Sequence, residues 1–300
     1  MDDDIRYANA VTTFDALRAV IPKFAKNKAF LRVTEPITPA IQKEMGATAP
    51  VIGSNRDRAV CALVNKACNS HAAIRLLTDV GHGDDAMALG RVILENTIIL
   101  KWLLIDPVYR LDLYCISDAL FRRRWCELVI EHFPEKPELV KRVQESLDDE
   151  VNAVARFFGN TIHKWAQVLH PDGKHHYVNF EVMMKEVAEH GGATSTFQHD
   201  VIYFLHSAYV HSTASAMRSF RHLKGETYFR ADLGPNGLRR DEALGGANIC
   251  LIQVLQSAAA YLGFSDLDAE LDAIFGDVKA SFEKEPDGGR RRPAGHVMAD

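Results

Sequence analysis

The stretch AMALGRVILENTIILKWLLID, residues 86–106, decides how the rest of the chain is read. It is long enough to cross a bilayer, yet Arg91, Glu95 and Lys101 fall inside it. Three ionisable groups are costly in hydrocarbon, whereas inside a protein each can find a partner. The reading is therefore a buried helix of a soluble protein and no membrane span. Asp84 or Asp85 supplies its acidic start, and Pro107, which cannot continue an α-helix, marks its end.

The same helical period recurs on both sides. Upstream, SNRDRAVCALVNKACNSHAAIRLLTDV opens on Ser54 as N-cap and stops at Gly81. Downstream, a helix begins with Pro107 in its first turn and runs through RRRWCELVIEHF to Pro134. In KPELVKRVQESLDDEVNAVARFF, residues 136–158, apolar positions repeat at three and four with charges between, which predicts a surface helix with one buried face. Further helices are expected over 11–31, with a kink or fresh start at Pro22, then within TIHKWAQVLH up to PDGK, and over 178–190, 196–223, 241–263 and 266–284. The prediction is an all-α multi-helix bundle, with one small hairpin or a loop near 225–240. An N-terminal helical extension and a linker holding Pro36 and Pro39 occupy 1–50, the bundle 51–285 and a disordered tail 286–300.

Composition narrows the function classes. A chain of 300 residues with 47% apolar and 25% charged content can bury a sizeable core. A net charge of -5 argues against a chain built to coat nucleic acid or an anionic membrane. Five cysteines do not form a disulfide framework, and MDDDIRYANA is acidic where a secretory signal is basic, so a cytoplasmic location is expected.

A second stretch, VIYFLHSAYVHSTASAM at 201–217, raises the functional question, because Tyr203, Ser207 and His211 fall four apart in an otherwise apolar helix. At about 100° per residue they share an arc roughly 80° wide and face one neighbour. Buried polar groups need partners. Arg91 and Glu95, also four apart and in line with Ile98 and Trp102, are the best suppliers. Their segment is apolar enough for its whole circumference to be covered, so the two stripes are expected to meet.

The run LLTDVGHGDDAMALGRVILENTIILKWLLIDP, with Trp165 in IHKWAQV and then YFLHSAYVHST, resembles the bacterial domain-of-unknown-function family five-six-seven-seven. The resemblance covers residues 55–225. It implies a helical fold and a bacterial or phage source, but no activity. Arg91, Glu95, Tyr203, Ser207 and His211 match the family's pattern.

The candidate catalytic residues are His211 for proton exchange, Glu95 to orient and Tyr203 to donate a hydrogen bond. Arg91 and Ser207 are the candidate ligand-binding residues, for a small anionic or phosphate-bearing ligand that the site would bind or hydrolyse. The alternative is a non-enzymatic interaction module whose polar cluster only fixes helix register. A third reading is a metal-independent RNase of the HEPN type, on RLLTDVGH (Arg75, His82), RFFGNTIH (Arg156, His163) and Arg290 or Arg291 with His296. Such Arg/His spacings occur about as often as composition alone gives, so nucleic acid is the weaker partner. No metal or cofactor is expected: Cys61 and Cys68 lack a completing pair, and GHGDDA joins two helices instead of following a strand. ArgArgArg at 122–124 reads as a solvated face, and a homo-oligomer stays open.

Overall fold

The computed structural model describes residues 2–25, 55–158, 167–169, 175–191, 203, 207, 210 and 239–283. Outside them lie the Pro36/Pro39 linker, Ser54, His163, Trp165, most of the expected 196–223 helix with His211, almost all of the 225–240 segment, and the expected tail. Within them the fold is a multi-helix bundle, as the periodicity predicts.

The helices are α1 (Asp2–Ala25), α2 (Asn55–Asp79), α3 (Gly83–Ile105), α4 (Pro107–His132) and α5 (Pro137–Phe158), followed by α6 (Phe180–Gly191), α7 (Arg240–Leu262) and α8 (Ser265–Glu283). Their boundaries follow local chemistry. Asp106 caps α4 by accepting from the Tyr109 backbone N–H at 3.3 Å, with Pro107 in the first turn, where no intrahelical N–H partner is lost. Gly263 ends α7 at φ +75°, and Phe264 N–H returns to the Ala259 carbonyl at 2.8 Å. Gly81, at φ +87°, turns the chain from α2 into α3. α1 runs as one helix through Pro22, with no fresh start there, and reaches back to Asp2, earlier than the expected start at 11.

The core is built on α3 and α7, which pack against each other and both against α2. Ile93, Leu94, Ile98, Leu100, Trp102 and Leu103 of α3 meet Cys250, Leu251, Val254 and Leu255 of α7 in one buried cluster. α7 is also long and apolar enough to cross a membrane, but most of its apolar face is buried inside the bundle. Leu17 and Val20 bring α1 into the same core, and α1 lies against α7 and α8. α5 pairs with α4 through a small cluster of Cys126, Val129 and Val143, the single buried face that its sequence predicts.

One element differs in kind from its prediction. The C-terminal part of TIHKWAQVLH is no helix at Gln167–Leu169: it is strand β1, paired antiparallel with β2 (His175–Tyr177), with Val168 opposite His176. The sequence between them, PDGK, carries an Asp-Gly step that favours a hairpin, and the segment is too short to bury a helical face.

Candidate functional site

Of the two polar stripes, Arg91 and Tyr203 meet. On α3, Arg91 Nε donates to Glu95 Oε1 at 2.6 Å, the i,i+4 pairing its spacing allows. Arg91 Nη2 donates to the Tyr203 hydroxyl at 3.0 Å, across 112 residues of sequence. The guanidinium also stands over the Tyr203 ring, 4.9 Å from its centre, and the other side of this contact is closed by Phe180 at the start of α6, 5.3 Å from Tyr203 ring to ring. The backbone is helical at Tyr203 and at Ser207. The Ser207 hydroxyl is buried and has no hydrogen-bond partner among the described residues. His211, the candidate proton carrier, lies outside them.

The covering of this site departs from expectation. Ile98 and Trp102 on the same stripe are buried, but the Arg91 side chain is 19% exposed and that of Glu95 36%. The stripe therefore runs from the dry interior to an edge that water reaches. The ion pair avoids the full penalty of burying two charges.

Three other polar clusters were not anticipated. Farther along α3, Trp102 Nε1 donates to Glu186 Oε2 at 2.9 Å, and Arg110 Nη2 pairs with the same oxygen at 2.9 Å. Arg110 also lies 4.4 Å over the Trp102 ring and donates to the Trp102 carbonyl at 3.0 Å. Lys101 Nζ donates to Gln253 Oε1 at 2.6 Å. In the core, His71 Nε2 lies 2.6 Å from Asn248 Oδ1, and Phe14 stacks on the imidazole. An amide oxygen only accepts, so this imidazole carries its proton on Nε2. Burial pushes the His71 pKa below its ordinary value; Asn248 opposes the shift and Arg75 adds to it. The signal for each was a polar residue inside an apolar run, but periodicity names no partner on another helix.

The remaining sequence candidates separate. Arg75 pairs with Asp79 at 2.7 Å and covers Phe14, while His82 approaches Asp85 at 3.4 Å, so each half of the Arg75/His82 step has its own local partner. Arg123 and Arg124 both reach Glu127 on their own helix. Burial pushes the Cys61 thiol up to about 11 and those of Cys68 and Cys250 to about 12, which suits core cysteines and not thiolate ligands. Among the described residues no group of three or more His, Cys, Asp or Glu side chains is placed to hold a metal ion.

The model of a family of unknown function, DUF5677, matches residues 57–227, more than half of the chain. Comparison with curated proteins and with solved structures finds no match.

Proposed function

This chain belongs to the DUF5677 family, and we propose that it binds a small anionic or phosphate-bearing ligand at the rim of the Arg91/Glu95/Tyr203 cluster. The observation that carries the reading is the buried Ser207 hydroxyl, four residues from Tyr203 in sequence and without a hydrogen-bond partner among the described residues. A buried hydroxyl left unpaired costs about 1–3 kcal/mol, a cost a ligand acceptor would offset. Arg91 supplies the cation, Glu95 and Tyr203 hold its planar fork in one orientation, and the water-reached edge gives access. His211 exchanges a proton in this reading and Glu95 orients it, which extends the proposal to hydrolysis of the bound ligand inside a bacterial cell.

A second reading is favoured by one observation: Glu95 already neutralises Arg91 at 2.6 Å, as in a cluster that only pins helix register within an interaction module. Titrating inorganic phosphate into the full chain while following its melting temperature separates the two. Binding predicts a rise in the wild type that Arg91→Gln abolishes and Ser207→Ala weakens. If phosphate shifts nothing and Ser207→Ala simply stabilises the fold, the structural account stands. For the proton role, His211→Gln should retain phosphate binding and lose any hydrolysis; loss of melting temperature alone assigns His211 to the scaffold.

A further inference from the structure

A second site opens beyond the Trp102 cluster, ten residues and about 15 Å farther along α3 than Arg91. Lys101, Leu104 and Ile105 of α3, Val187 and His190 of α6, and Tyr261 of α7 line a cleft of about 440 Å³. That volume is in the range of small-molecule sites, and most of the lining is apolar.

The cleft has a charge of one sign. Lys101 is a half-buried amine whose hydrogen-bond partner among the described residues is the neutral amide of Gln253. Of the α6 carboxylates, Glu186 is already engaged by Trp102 and Arg110 through the same oxygen, and Glu189 is exposed to solvent. Burial pushes the Lys101 pKa below its ordinary value, and Cys250 opposes the shift. His190 donates from Nδ1 to the Glu186 carbonyl at 2.8 Å, which sets its ring at the cleft wall and leaves Nε2 for another partner.

We propose that this cleft binds a small organic carboxylate with an apolar body, its carboxylate against Lys101 and its body along Leu104, Ile105 and Val187. Charge complementarity selects the occupant: an ammonium in apolar surroundings with no carboxylate partner among the described residues gains most from an anion that brings its own apolar surface. A phosphate monoester suits the cleft less well. It needs several donors around three oxygens, and a lysine is a single point charge on a wall that is mostly hydrocarbon.

Calorimetric titration of the full chain with octanoate and with octan-1-ol tests this, using the wild type, Lys101→Met and Ala260→Trp. Ala260 is an exposed residue at the cleft, where an indole would fill the entrance. Octanoate should bind the wild type roughly tenfold or more tighter than the alcohol, Lys101→Met should erase that preference, and Ala260→Trp should weaken both ligands. The proposal is overturned if neither ligand binds, if the wild type does not prefer the carboxylate, or if Lys101→Met keeps the preference. Lys101→Met removes a buried charge and should fold; if it does not, unchanged octanoate binding in Ala260→Trp overturns the location.

Discussion

His71 and Asn248 close a 2.6 Å hydrogen bond between α2 and α7, in the middle of the apolar core. The contact joins residues 177 positions apart, and Phe14 of α1 stacks on the same imidazole with its ring centre 5.3 Å away. Three helices that are distant in sequence are thus tied at one neutral, hydrogen-bonded ring.

That ring makes stability depend on pH. The folded pKa of His71 is depressed, chiefly by burial, so below the ordinary imidazole value of 6.5 the unfolded chain takes up a proton that the core resists. The contribution is constant above that value and falls as pH drops from there toward the folded pKa, by at most about 1.4 kcal/mol per pH unit. His71→Gln, which cannot titrate, should lower stability at neutral pH but flatten its decline between about pH 7.5 and about pH 5.5. Urea midpoints across that range check this, and an unchanged slope would refute it.

Tyr203→Phe isolates the link between the two stripes. It keeps the ring against Phe180 and under the Arg91 guanidinium but removes the hydroxyl that accepts from Nη2. A loss of about 0.5–1.5 kcal/mol is expected. A double-mutant cycle with Arg91→Met should return a coupling of about 1 kcal/mol, while a coupling near zero would mean that the contact contributes nothing.

Two carboxylates on comparable ion pairs should differ in weight. Arg110 is only 11% exposed and Glu186 29%, and Glu186 also receives Trp102. Glu186→Gln removes the charge facing a buried guanidinium and should cost about 2–4 kcal/mol in chemical denaturation. Glu95→Gln, at an edge water reaches, should cost less than about 1 kcal/mol. The reverse order would show that exposure does not set the strength of these pairs.

Two glycines of neighbouring helix segments should respond with opposite sign. At Gly263 an added Cβ meets nothing within 4 Å, but φ is +75°, so Gly263→Ala should destabilise by about 1 kcal/mol through backbone strain alone. Gly276 lies inside α8 with the same open space, and Gly276→Ala should stabilise by about 0.5–1 kcal/mol. Melting temperatures of the two variants, compared in one buffer, test both signs.

How much of the candidate site was legible can be judged from Arg91. Its four-residue step to Glu95 follows from helix geometry, and so does the shared arc of Tyr203 and Ser207. Their meeting required only the inference that buried polar groups find one another. The exposure of Glu95 was not legible, because an apolar run does not say which of its faces the neighbouring helices leave open. Lys101 shows the same limit: its sequence position says that it is enclosed by apolar residues, but its amide partner lies 152 residues away on α7.

The order of residues alone determined the helices, their caps at Asp106 and Gly263, and the buried face of α5, since each depends on groups within about one turn of one another. Tertiary packing decided which polar group answers which: His71 with Asn248, Lys101 with Gln253, and Trp102 and Arg110 with Glu186. Local chemistry acts over a few bonds, whereas a buried donor takes the acceptor that a crossing helix brings to it.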